Sequence, residues 1–164
     1  MDKRFTILII AIILCSVGQS SVRPSPVLIP EVQKVYNKDW YSGYLDFTFD
    51  DTPTHMHYFY FPSQSTTPEK DPLLFWFNGG PGCSSLLGAL YEHGPFIYND
   101  AFGFLVNNPE SWNKKANTVY IESPSQVGFS YMDIPEGFNY TVWNDELVAE
   151  LNLKAVVEFF TVFS

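Results

Sequence analysis

The chain has 164 residues, enough for one ordinary domain with a sizeable core, and its 46% hydrophobic share argues against a disordered chain. Lys and Arg number 9 against 18 Asp and Glu, a formal charge of −9. An acidic chain without a basic stripe has no electrostatic reason to bind nucleic acid, and no metal-ligand spacing or nucleotide loop occurs, so no cofactor and no metal is expected.

At the N-terminus, Asp2-Lys3-Arg4 precedes an almost wholly apolar run from Phe5 to Val17, followed by the small residues Gly18, Ser20 and Ser21. The run falls short of the roughly 20 residues a spanning helix requires, so residues 1–18 read as a secretory signal peptide, with a short membrane anchor as the alternative. Cleavage would remove Asp2, Lys3 and Arg4, shift the charge from −9 to −10, and leave no stable membrane insertion. It would also remove Cys15 and leave Cys83 as the lone cysteine of the mature chain. An odd cysteine in an oxidising compartment signals a missing partner or a reactive thiol; a buried free thiol is the plain alternative.

Residues 19–40, with prolines at 24, 26 and 30, read as an extended lead-in. Tyr41 to Asp50 and His55 to Phe61 are aromatic-rich and partly alternating, which predicts two strands joined by a turn over Asp50-Asp51-Thr52-Pro53. Pro62 to Asp71 is a polar loop. Leu73 to Phe77 lacks polar alternation, as in a strand covered on both faces. It breaks into Asn78-Gly79-Gly80-Pro81-Gly82, and Cys83-Ser84-Ser85 then opens a short apolar helix over Ser85 to Tyr91, ended by Gly94-Pro95. A strand, a glycine turn and a helix start in that order leave backbone N–H groups free to stabilise negative charge. Ser84 and Ser85 read as structural caps rather than nucleophiles, and the glycines at 79 and 82 as requirements of backbone geometry.

Residues 97–117 read as loop-rich. Thr118 to Ile121 predicts a second doubly covered strand, terminated by Glu122-Ser123-Pro124. From Asn144, a good N-cap followed by Asp145 and Glu146, the residues Val148, Leu151, Ala155 and Phe159 recur at helical spacing and predict a helix with one core face. An antiparallel pair followed by strand, helix, strand and helix is the opening of an α/β sheet.

Several blocks occur in a telling order: Tyr41-Ser42-Gly43-Tyr44-Leu45, Trp76 to Ser85, Glu92-His93-Gly94-Pro95-Phe96, Asn108-Pro109 and Ser111-Trp112-Asn113. Tyr120 to Pro124, Val127 to Tyr131 and, more weakly, Asn144-Asp145 with Phe159-Phe160 complete the set. Over roughly Tyr41 to Phe160 this resembles the amino-terminal portion of the serine carboxypeptidase family of α/β-hydrolases. The resemblance implies an α/β fold over residues 41–164, an incomplete α/β-hydrolase sheet with an antiparallel hairpin and then parallel strands with helices. It also implies a serine-type carboxypeptidase acting on peptide or protein C-termini, in which a serine attacks the last peptide carbonyl and an imidazole takes its proton.

By family position, Gly80 supplies an oxyanion-hole N–H, where a Cβ would obstruct the substrate. Trp76, Asn78, the backbone of Gly79 and Glu92 match the network that recognises the free substrate carboxylate. Asn78 and the Trp76 indole can donate directly, whereas a carboxyl such as Glu92 must be protonated to donate, a form that a nearby like charge favours. His93 falls at a variable family position and is given no catalytic role. The family's disulfide partner for Cys83 lies downstream of the matched segment.

Two departures stand out. No Gly-x-Ser-x-Gly elbow occurs, so no triad residue can be placed, and Gln126 stands where the family has glycine, a side chain expected to disturb the turn. The chain is therefore expected to be part of a longer enzyme, inactive and poorly folding by itself because inner strands are left with exposed edges. A secreted non-catalytic fragment that binds or regulates is one alternative, and a serine carboxypeptidase-like acyltransferase is another, since a fold alone does not decide chemistry. Asn139-Tyr140-Thr141 is a glycosylation sequon, which suits a secretory route to a lysosomal, vacuolar or extracellular destination. Nothing in the sequence sets an oligomeric state.

Overall fold

The computed structural model describes residues 24–80, 82–134 and 142–164, so the expected signal peptide, Pro81 and the Asn139 sequon lie outside the described residues. A helical turn, α1 (Pro30–Gln33), leads into strands β1 (Tyr41–Phe49), β2 (Thr52–Phe61) and β3 (Leu73–Trp76). Strands β4 (Phe96–Asn99), β5 (Phe104–Asn107), β6 (Asn117–Ile121) and β7 (Tyr131–Met132) follow, and helix α2 (Asp145–Val162) closes the chain.

The hairpin forms where the aromatic alternation places it, with a tighter turn than expected. Phe49 pairs with Thr52, so Asp50 and Asp51 alone make the bend, at φ 47° and 57°. Positive φ at both central residues gives the turn whose twist matches that of the flanking strands. Thr52 and Pro53 belong to β2, Pro53 lying opposite Thr48.

The main sheet runs β1-β2-β6-β3, with β7 pairing β2 beside β6. The β1–β2 and β2–β6 pairs are antiparallel, and β3 lies parallel to β6, with Trp76 beside Tyr120. All five residues of β6 are buried, the double cover expected of Thr118 to Ile121 extending to Asn117, while the four of β3 are half-buried. Among the described strands β3 borders only β6, so the double cover expected of Leu73–Phe77 is absent: an edge strand keeps part of each face in contact with solvent.

Side-chain alternation along the strands sends apolar residues to both faces. On one face α2 packs Leu151, Ala155 and Phe159 against Leu45, Phe49, Met56, Tyr58, Val119 and Ile121. Asn144 caps this helix, its side-chain oxygen accepting from the Leu147 N–H at 3.0 Å. The opposite face gathers Val32, Tyr36, Trp40, Phe61, Ala89, Phe96 and Tyr120. The described part of the lead-in is thus a packed segment: α1 interrupts it and three of its residues enter this second core. Residues 97–117 also hold more order than expected, because β4 and β5 pair as a separate antiparallel ribbon around Gly103 at φ 69°. Among the described residues, no helix is long and apolar enough to cross a membrane.

Candidate functional site

The β3–turn–helix segment sits on the face opposite α2. Trp76 ends β3 and its Nε1–H donates to Asn78 Oδ1 at 2.7 Å. In this structure the indole donor is engaged within the protein, and the bond leaves the two Nδ2 donors of Asn78 pointing away from the indole. The Asn78 N–H donates to Ser85 Oγ at 2.9 Å, and Ser85 O–H donates onward to the Ile121 carbonyl at 2.6 Å. Ser85 is fully buried and ties the turn to β6, while the neighbouring Ser84 oxygen accepts the Leu86 N–H at 3.2 Å. The two serines are structural, as expected, but Ser85 acts across the sheet rather than as a cap.

The glycines of the turn differ in what they require. Gly80 takes φ +140°, and the place of a Cβ there lies 3.1 Å from Gly82 N and 3.2 Å from Cys83 N, so backbone nitrogens line the concave side of the bend. Gly82 takes φ +103° and needs glycine for its backbone, as expected. Gly79 does not: it lies outside the positive-φ set, and a Cβ would meet nothing within 4 Å, so no atom of the described protein demands glycine there. Cys83 is a free and exposed thiol, which removes the buried-thiol alternative.

The helical segment ends in a wide turn in which the His93 N–H reaches back to the Gly88 carbonyl at 3.0 Å. This turn leaves Glu92 exposed and swings His93 inward. The His93 ring stacks on Trp112 at 4.0 Å and 11°, meets the edge of Trp76 at 4.4 Å, and its Nδ1 lies 2.9 Å from the Tyr120 hydroxyl. Its Nε2 is buried without a hydrogen-bond partner, 3.8 Å from Glu92 Oε2. Burial lowers the His93 pKa, with the nearby Glu92 opposing the shift. His93 therefore packs against the indole that bonds Asn78, with its Nε2 3.8 Å from Glu92, a placement that motif spacing did not disclose. Gly88 is the second residue that was missed: a Cβ there would stand 2.5 Å from Trp76 Nε1, so its lack of a side chain is what seats the indole.

Behind the turn lies a buried polar chain. Glu122, wholly inaccessible, accepts from Ser84 O–H, from His57 Nδ1–H at 3.0 Å and from the Phe129 N–H at 2.8 Å. Ser42 Oγ stands 3.0 Å from His57 Nε2. Ser130 receives the His57 N–H at 2.8 Å and donates to the Glu122 carbonyl at 2.7 Å. Gln126 adopts φ +77° and its N–H bonds to the Ser130 carbonyl at 2.8 Å, so the turn closes despite the side chain, at the cost of a left-handed non-glycine residue.

A mixed sheet covered on both faces, with a glycine turn at the C-terminal end of a parallel strand, defines an α/β protein of the α/β-hydrolase type. Residues 30–164 match the serine carboxypeptidase family, and the chain belongs to it. It is 44% identical over 135 residues to the lysosomal protective protein of Mus musculus, covering 82% of this chain and 27% of that protein. It is 48% identical over 122 residues to a serine carboxypeptidase of Caenorhabditis elegans, covering 74% and 21%. A solved prohormone-processing carboxypeptidase from Saccharomyces cerevisiae superposes with a TM-score of 0.62 at 27% identity, over 86% of this chain and 31% of that one. The chain thus spans between a fifth and about a quarter of the length of these curated relatives, 21% and 27%.

Proposed function

We propose that this chain supplies the oxyanion and carboxylate-recognition half of a serine-type carboxypeptidase site acting on the C-termini of peptides or proteins. In this reading the Gly80 N–H faces the developing oxyanion, and Asn78, the Gly79 backbone and Glu92 receive the free carboxylate, with Trp76 fixing the Asn78 amide. The observation that carries it is the bond from Trp76 Nε1–H to Asn78 Oδ1, which leaves the Asn78 Nδ2 donors for a ligand. The serine nucleophile is not supplied by any elbow in these 164 residues, so the chain alone releases no C-terminal amino acids. Residues 1–18 act as a signal peptide and 19–40 as a lead-in to the 41–164 domain. Asn139 is glycosylated on a secretory route to a lysosomal, vacuolar or extracellular destination; the name of the mouse relative, which says lysosomal, supports the route.

Binding of N-acetyl-dialanine, a peptide with a free C-terminal carboxylate, tests the reading. Glu92→Ala should weaken that binding several-fold, whereas Glu92→Gln, which keeps a hydrogen-bonding group of the same length, should largely retain it. Equal affinity in the wild-type chain and Glu92→Ala rejects the role of Glu92.

A further inference from the structure

Glu122 lies at the end of β6 with no solvent contact, yet each oxygen of its carboxylate is engaged. Oε1 accepts from Ser84 O–H, and Oε2 from His57 Nδ1–H and the Phe129 N–H. A carboxylate only accepts, so the proton between the pair sits on His57 Nδ1, and Ser42 Oγ lies 3.0 Å from Nε2 on the far side of the ring. A lone carboxylate in such a place would be strongly disfavoured; three donors are what let the charge remain. Gly128, at φ +56°, completes the cradle, since a Cβ there would run into the Glu122 carboxylate.

The same strand end grips the glycine turn twice, through adjacent serines. Ser84 is held by the Glu122 side chain, and Ser85 by the Ile121 carbonyl while its own oxygen accepts the Asn78 N–H. We propose that Glu122 is the positioning residue of the glycine turn, holding Ser84, and through Ser85 the backbone of Asn78, in register with the end of β6. Its consequence for substrate rests on the carboxypeptidase reading; the positioning itself does not. A misplacement of about 1 Å at such a turn is enough to cost on the order of 100-fold in a site that depends on orientation.

Glutamine cannot replace it. An amide has one accepting oxygen and one donating nitrogen, so in one orientation the Phe129 N–H loses its acceptor and in the other Ser84 O–H does. Acidity also has a definite sign here. Burial alone would raise the Glu122 pKa, but hydrogen bonds from His57, Ser84 and the Phe129 N–H, with the charge of His57, outweigh it and hold the carboxyl below its ordinary value. His57 on β2 is the titratable group in contact; Ser84 and the Phe129 amide do not titrate. A lowered folded-state pKa means the contribution is fully present above the ordinary glutamate value of about 4.3 and is lost as pH falls through the folded value, so the grip persists at about pH 5.

Hydrogen exchange at single residues, with the Trp76 indole proton resonance, tests this on the full chain. Neither Ser84 nor Glu122 is hydrogen-bonded to Asn78, yet Ser84→Ala and Glu122→Gln should each speed exchange of the Asn78 N–H at least about 10-fold while Val119 in β6 stays within about twofold. Ser84→Thr, which keeps the hydroxyl, should restore protection. On acidification the wild-type Trp76 indole resonance should shift with a midpoint below about 4.3, and Glu122→Gln should abolish that step. Unchanged Asn78 protection in Ser84→Ala overturns the proposal, as does an equal rise at Asn78 and Val119, which marks general loosening. Should Glu122→Gln fail to fold, the Ser84→Ala and Ser84→Thr pair decides. N-acetyl-dialanine should bind about 10-fold more weakly to Ser84→Ala; if the wild-type chain does not bind it at all, the carboxypeptidase reading fails while the exchange result still judges the positioning.

Discussion

The two faces of the sheet are held by different physics. The α2 face is apolar and regular: Leu151, Ala155 and Phe159 meet the alternate residues of β1, β2 and β6, and area removed from water supplies the stability. The turn face has aromatic packing of its own, but a directional chain from Ser42 through His57 and Glu122 to Ser84 crosses it. Burial is non-directional and tolerates small shifts, whereas a hydrogen-bonded network either meets all its partners or leaves a buried group unsatisfied. The face that carries the candidate site is accordingly the one whose geometry is set by polar atoms.

Truncating the helix face should have the largest effect on stability. Phe159 is 2% exposed and its ring lies 5.3 Å from those of Tyr60 and Phe75 and 4.6 Å from that of Phe163. Phe159→Ala should cost about 3–5 kcal/mol in denaturant unfolding, with little change in the Trp76 indole resonance once the protein is folded. A smaller loss with a large change at Trp76 would show that the faces are coupled rather than separate.

Gly88→Ala probes the other face. A Cβ 2.5 Å from Trp76 Nε1 must displace the indole, at a cost of about 1–3 kcal/mol, and should shift the indole proton resonance as its bond to Asn78 is lost. An unmoved indole resonance would mean that the turn is held without that bond. The smallest change should be a gain. Gln126 is exposed at φ +77°, so Gln126→Gly relieves left-handed strain and should raise stability by about 0.5–1 kcal/mol after the entropy of glycine is set against it, read as a higher midpoint of thermal unfolding. A destabilised variant would show that the Gln126 side chain contributes more than its backbone strain takes away.

By itself the sequence determined what depends on neighbours along the chain. The aromatic alternation of β1 and β2, the Thr118–Ile121 segment of β6, the Asn144 cap and the glycine turn after β3 are all local patterns, and each appears where those patterns put it, the hairpin turn alone being tighter. The ordered blocks from Tyr41 to Phe160 also carried the family. Tertiary structure decided the rest, because the deciding contacts join residues far apart in the chain. Neither His57 nor Glu122 belongs to a motif that signals a partner 65 positions away, and His93 discloses nothing until Trp76, Trp112 and Tyr120 enclose it. The β4–β5 ribbon and the burial of Val32, Tyr36 and Trp40 were equally illegible, since short segments take their conformation from the surface they pack on. Periodicity reports which side chains leave water; which polar atoms then meet across a sheet is settled only when the strands are set side by side.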